Sequence, residues 1–357
     1  PPDEANLRSA EEAISSSWYF PTLKSGWIAA NGTTPAVGIT STGIIVFRGA
    51  VKKDPNKNPG NVLFDLPSNL SPANPDFIDI PIALGALGNG LGMLIVGCSQ
   101  GTGQCTATVS EDGVGGAGAK AFAMTSLDGA SFDRTSADSQ PLALGTDWGA
   151  RQYPFRNQGT PFELPAGVKK VGGFVRFQGA LVNNTGSANT AAFQLPSGYI
   201  PGQNVYVPVV LGPNSSAAHG RLAIMGTSGI VYVQIEGSKG SLAEMTSLEG
   251  ASFSLTTTPT SLSLQNGWVA YSARAVKVRN EEGVIRLEGA VKNGTNVVVA
   301  NLPQGMRPAQ TIYVVADAIN AAHMRLKIER NGNISVDSGT LSSAQGFLSL
   351  DGVSFAL

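Results

Sequence analysis

Apolar residues recur at every second position along much of this chain, between stretches punctuated by glycine, asparagine and proline. Ile45 and Phe47, Val175 and Phe177, and Ile285 and Leu287 sit at alternate positions that predict strands with one face in a core. Arg48, Arg176, Gln178, Arg286 and Glu288 fall between them and are expected to point outward. Further on, Met324, Leu326 and Ile328 alternate with His323, Arg325, Lys327 and Glu329, and Asn331-Gly332 follows as a hairpin turn. Short strands with turn signals every 8–12 residues or so predict antiparallel sandwiches or small barrels, an all-β protein. Only the start differs. Residues 3–17 predict a short helix, with acidic residues early and Leu7, Ala10, Ala13 and Ile14 at helical spacing. Such a helix is marginal alone and needs something to pack on, either the first β unit or copies from neighbouring subunits.

The pattern also repeats on a larger scale. Ser126-Leu127-Asp128-Gly129-Ala130-Ser131-Phe132 returns as residues 247–253 (Ser-Leu-Glu-Gly-Ala-Ser-Phe) and 349–355 (Ser-Leu-Asp-Gly-Val-Ser-Phe). Upstream lie the blocks ending Gly49-Ala50-Val51, Gly179-Ala180-Leu181 and Gly289-Ala290-Val291, then Leu66-Pro67, Leu195-Pro196 and Leu302-Pro303. Trp27, Trp148 and Trp268 open the three units, about 120 residues apart, a period far too long for a solenoid and right for a small domain. The expected layout is beads on a string: a helix and linker at 1–22, then β-domains at 23–135, 136–256 and 257–357.

Composition narrows the function. Charged residues make up 14% of the chain, against roughly 25% in ordinary soluble domains, and glycine reaches 44 residues, which suits strands joined by tight polar turns. A net charge of −1 gives no electrostatic footprint for nucleic acid. No apolar run approaches the ~20 residues that span a bilayer, so no membrane insertion is expected. The chain opens Pro1-Pro2 without Met, as a fragment or processed product would. Cys98 and Cys105 share one glycine-rich stretch; a disulfide and two free thiols fit the sequence equally, and a zinc site does not, for want of nearby histidine.

Candidate chemistry is sparse. His219 and His323 hold the same place in their repeats, where the first copy has Leu91, which marks a polar strand face rather than a catalytic base. Asp128, Glu249 and Asp351 occupy a turn that accepts either acid, so turn chemistry accounts for them. No phosphate-binding loop and no outstanding carboxylate pair appears. No catalytic, cofactor or metal residues are assigned, and the chain is expected not to be an enzyme. The copies differ in two insertions. The second carries about ten extra residues near Arg151, Tyr153, Phe155 and Arg156, and the first about seven to nine around Gly97–Cys105, which include Gln100 and Gln104. Loops on a rigid β scaffold are where recognition is placed. These residues are therefore the candidate contacts, with an inter-domain spacer as the alternative for the Arg151–Arg156 segment.

The combination of Gly267-Trp268, the strand ending Gly289-Ala290-Val291, Leu302-Pro303-Gln304-Gly305 with Pro308, and the closing Ser349–Phe355 resembles domains of bacteriophage tail tip, tail fibre and minor tail proteins. The third copy is nearest and the first departs most. The resemblance covers most of the chain from about residue 23. It implies a virion location, homotrimers at the particle surface, other virion proteins as partners, and contact with a host-surface glycan or protein; it implies no catalytic residues. The alternatives are a capsid or tail decoration protein without receptor binding, a secreted carbohydrate-binding adhesin, and a polysaccharide-degrading enzyme of the same particle.

Overall fold

The alternating segments form strands, and every ladder among the described residues is antiparallel. The computed structural model describes residues 18–72, 77–85, 90–99, 102–112, 116–135, 138–153, 162–186, 190–212, 218–236, 245–255, 260–272, 275–338 and 341–357. The helix expected at 3–17 lies outside them. Two short helices, Ala119–Ala123 and Leu341–Gly346, are the α-helices among the described residues.

Three hydrophobic cores follow the three repeats. The first is drawn from Trp27 to Phe132, the second from Leu142 to Phe253, and the third from Leu262 to Phe355. Each core is closed between a small and a large sheet. In the third repeat the small sheet pairs Lys277–Glu281, Val284–Glu288 and Ser354–Ala356. Its large sheet runs in the order Val269–Ala270, Ala290–Lys292, Leu348–Ser349, Ile312–Ala318, His323–Ile328, Asn333–Ser338, Val298–Asn301. The first repeat follows the same order through two sheets joined by the Leu84–Thr125 bridge. The second adds the hairpin of Trp148–Tyr153 and Phe162–Leu164 at its sheet edge.

The repeated motifs build the corner between the two sheets. At Gly49, Gly179 and Gly289 the chain leaves the small sheet for the large one with φ of 87°, 81° and 94°. A side chain at Gly49 would meet the Thr34 carbonyl oxygen at 2.9 Å, so the corner demands glycine. The turn carboxylate of the same repeat accepts that glycine's N–H: Asp128 Oδ1 from Gly49 at 2.9 Å, Glu249 Oε1 from Gly179 at 2.8 Å and Asp351 Oδ1 from Gly289 at 2.9 Å. Asp and Glu serve alike because either reaches one N–H. The three tryptophans are buried in the cores, with Nε1 donating to Gly60 O, Thr190 Oγ1 and Asn296 O.

The repeats are not beads on a string. The strands Phe77–Ala83, Val205–Leu211 and Ile312–Ala318, one from each repeat, pack against one another around a common axis. The contacts run in a ring. Ser126 Oγ donates to Tyr313 O at 2.7 Å, Ser247 Oγ to Asp79 O at 2.7 Å, and Ser349 Oγ to Tyr206 O at 2.8 Å. Arg221 Nη1 reaches Asp317 Oδ2 at 3.0 Å, Arg325 Nη1 reaches Leu84 O at 2.6 Å, and Met93, at the matching place, packs on Val210. One interface is thus used three times and closes on itself, the heterologous ring that separate subunits form when the rotation closes. A cavity of about 30 Å³, room for a water or two, remains on the axis between Pro81, Pro208, Val315 and the turn glycines Gly129, Gly250 and Gly352.

Ring closure corrects the outward assignment of several polar residues. Arg176 and Arg286 do leave their own cores, but they enter the interface, 1% and 6% exposed, and reach Ser131 Oγ and Ser252 Oγ of the preceding repeat at 3.2 and 3.4 Å. The first repeat has Val46 there, packed on Val284 and Ala356 of the third. Burial pushes the Arg286 guanidinium down to about 9, with the nearby Arg176 charge adding to the effect.

Candidate functional site

The threefold scaffold is broken where the first repeat carries features the others lack. Trp18 to Lys24 runs along the outside of that repeat. Tyr19 exchanges backbone hydrogen bonds with Val37 at the edge of the small sheet, and Lys24 N donates to Leu63 O at the edge of the large one. Tyr19 therefore stands on Val37 as Gln140 stands on Val168 and Thr260 on Val278 in the other repeats. Phe20 beside it is 56% exposed.

Opposite this segment the hairpin Leu91–Cys98 and Cys105–Glu111 ends in a longer turn than its counterparts. Cys98 and Cys105 face each other in register and are joined by a disulfide. Within the turn, Ser99 N donates to Gln104 O at 2.9 Å, Gly103 N to Ser99 O at 2.8 Å and Gln104 N to Thr102 Oγ1 at 3.2 Å. Gln104 Nε2 turns toward Cys105 O at 3.3 Å. The neighbouring strand Val62–Leu66 supplies Asp65, where the other repeats have Gln194 and Asn301. Asp65 Oδ2 meets Lys24 Nζ at 2.6 Å, both about half exposed, so this pair contributes at most about 1 kcal/mol and opens readily to a ligand.

Tyr19, Asp65, Leu66, Pro67, Ser68, Thr102, Gly103 and Gln104 line the resulting open groove of about 390 Å³. It offers an aromatic ring, a carboxylate, two hydroxyls and an amide on a clamped scaffold. That donor and acceptor set suits a polyhydroxylated ligand, with apolar C–H faces against the ring and hydroxyls on the polar groups.

Of the residues singled out from sequence, Gln104 lies in this groove and the disulfide beneath it. Gln100 is outside the described residues, as are Phe155 and Arg156. Arg151 and Tyr153 belong to the strand Trp148–Tyr153, paired with Leu164 and Phe162. The groove brings in Tyr19, Asp65, Ser68 and Thr102, none of which stood out in the sequence; the one available signal was that Tyr19 and Phe20 fall just ahead of the repeat register. Among the described residues no group of three or more His, Cys, Asp or Glu side chains converges to hold a metal.

A second polar cluster sits where the three repeats meet at the ends of the axial strands. His219 Nε2 lies 2.6 Å from Asp112 Oδ2, and the His219 and His323 rings are 4.5 Å apart. His323 Nε2 donates to Gly220 O at 2.6 Å. Both rings are 2% exposed, so this cluster is interior structure and not an open site.

No family model matches the chain, and no curated protein matches it. Among solved structures it is similar to the receptor binding protein (gp15) of Listeria phage PSA, with 21% identity, 28% of this chain covered and a TM-score of 0.24. The match spans 63% of that protein's length, and a likeness this slight carries no assignment.

Proposed function

We propose that this chain is a non-enzymatic component of a phage tail or fibre, exposed on the virion, that contacts a host-surface glycan through the groove between Tyr19 and the Cys98–Cys105 turn. The observation that carries this is local asymmetry. Three repeats share one architecture and one mutual interface, yet only the first has a disulfide-clamped turn, an aromatic at the Tyr19 position and an acid at the Asp65 position. Departure from an otherwise repeated scaffold marks where recognition was added. The ring also supplies within one chain the threefold arrangement that the sequence led us to expect from three chains. We therefore propose 23–135, 136–256 and 257–357 as domains of a single closed head, with Trp18–Lys24 laid along the first of them.

The test is an array of bacterial surface polysaccharides and oligosaccharides probed with the labelled full chain and with Tyr19→Ala, Asp65→Asn and Gln104→Ala. Binding that each substitution weakens at least tenfold, with melting temperature unchanged, supports the groove as the contact. Binding untouched by all three moves the contact elsewhere. No saccharide bound at any concentration removes the glycan assignment and leaves a decoration role.

A further inference from the structure

The polar cluster at the ends of the axial strands joins one residue from each repeat: Asp112 from the first, His219 from the second and His323 from the third. We propose that this Asp112–His219–His323 stack is an acid-sensitive latch, which holds the ends of the three repeats together near neutral pH and lets them part on acidification. It is independent of what the groove binds.

The geometry gives a second proton nowhere to settle. His323 Nε2 already donates to Gly220 O, and its Nδ1 is buried without a partner. The ring lies against that of His219, so a charge on one is opposed by any charge on the other. On the neighbouring strand Asp317 pairs with His323 in register; Arg221 of the second repeat takes its Oδ2 at 3.0 Å, and its Oδ1 is buried without a partner. Burial pushes the Asp317 carboxyl up to about 7, so that it is mostly neutral, and no counter-charge for His323, by pH 5.5. Arg325, two residues along from His323, is engaged by Asp337 and by Leu84 O. Glu236 donates its N–H to the carbonyl of His219 and adds its charge on the Asp317 side. Asp112, beside His219, is the remaining described carboxylate at the stack, and it serves the other ring. Consistent with this, burial first and then His219 and Arg221 hold His323 well below the usual histidine value.

The sign follows. His323 is lowered in the closed ring relative to 6.5 when exposed, so the closed state favours the neutral ring. Its contribution is complete above about pH 6.5 and is lost as pH falls below that. The first repeat shows what an insensitive latch would be, because Leu91 takes the same place.

Hydrogen exchange of the full chain at pH 7.5 and 5.5, corrected for intrinsic rates, tests the latch. Between pH 7.5 and 5.5 the opening of amides of Leu91–Cys98, Ala218–Ile224 and His323–Ile328 is expected to rise about tenfold more in the native chain than in a chain without the His323 imidazole, the effect of roughly one proton taken up, with Asp317 titrating in both. Amides of Ile44–Arg48, in the small sheet of the first repeat, serve as reference and are expected to respond alike in the native chain and the variants. His323→Leu is expected to remove that tenfold share, and His323→Gln, close in shape and uncharged, to do the same should the leucine variant fail to fold. Equal acid responses of the three strands in the native chain and in these variants, or an equal native-to-variant difference at Ile44–Arg48, would each overturn the latch.

Discussion

Ser247 Oγ donates to the carbonyl of Asp79 at 2.7 Å, tying the second repeat to the axial strand of the first, and both groups are buried. The same bond joins Ser126 to Tyr313 and Ser349 to Tyr206, so one serine position closes the whole ring.

Each serine is expected to contribute similarly to stability. Alanine at Ser126, Ser247 or Ser349 leaves a buried carbonyl short of one donor, at a cost of about 1–2 kcal/mol per site. Urea unfolding is the measurement. Because every repeat is buried against two others, each single variant should still unfold in one transition with a lowered midpoint. A variant that unfolds in steps would show that the repeats hold independently.

The turn glycine two residues on from the turn's Leu makes a sharper comparison. Gly250 has φ of 79°, and a side chain there would come 3.0 Å from Ile80 Cγ2 of the first repeat. Gly202 has nearly the same φ, 74°, with nothing within 4 Å. Gly202→Ala should cost about 1 kcal/mol from backbone strain alone. Gly250→Ala should cost about 2–3 kcal/mol, because the strand it presses on must also shift. Equal losses would mean that the ring yields easily at this contact.

The three cores were legible from sequence because Ile45, Phe47, Val175 and Phe177 alternate and because the motifs recur in fixed order. The corner was half legible: turn chemistry at Asp128 was evident, its bond to Gly49 was not, since the two lie 79 residues apart. Ring closure was not legible at all. It is made by Arg176, Arg286, His219 and the turn serines, polar groups at strand positions that alternate with the core. A polar residue facing another repeat reads in sequence like one facing water. Of the groove, Gln104 was visible as part of an insertion. Tyr19 and Asp65 were not, because they acquire meaning only when the Tyr19 segment is laid along the sheet edges.

The clamp under the groove can be removed. The Cys98–Cys105 bridge spans a separation of 7 residues, and closing so short a loop stabilises by about 2–3 kcal/mol in the chain-entropy account. Replacing both cysteines by serine should lower stability by about that amount. It should weaken saccharide binding more than it weakens the fold, since Thr102 and Gln104 sit on the clamped turn. Calorimetry with array binding on the same samples reads both. Unchanged binding would show that the turn keeps its shape through its internal hydrogen bonds alone.

Deleting residues 1–17 tests whether the closed ring stands without them. The three cores and the bonds that close the ring are made by residues from 18 onward, and Trp18 itself packs on the cluster of Ile44, Val46, Val284 and Ala356 between the first and third repeats. The truncated chain should melt within a few degrees of the full one and show the mass of one chain by light scattering. A truncated chain that still runs as a trimer would place an association surface on the head itself.

Raising the pH should weaken the axis through its buried carboxyls. The Asp79 carboxyl is buried in the first repeat, at the register that Tyr206 and Tyr313 hold in the others, and burial pushes it up to about 7. A carboxyl raised from 3.8 favours the folded state at low pH and gives up that advantage as pH rises through 7. Between pH 6 and 8.5 its share of the loss should be about 1–1.5 kcal/mol. Asp79→Asn, uncharged throughout, should make the fall in urea stability over that range shallower without abolishing it, because Asp128 and Asp317 are pushed up to about 7 as well. Below pH 6.5 His323 opposes this trend by one proton, since burial disfavours its charged form, without outweighing the three carboxyls. Identical slopes for the native chain and the Asp79→Asn variant would mean that Asp79 is ionised in the folded ring, with its charge matched by a group the hydrogen-bond pattern does not reveal.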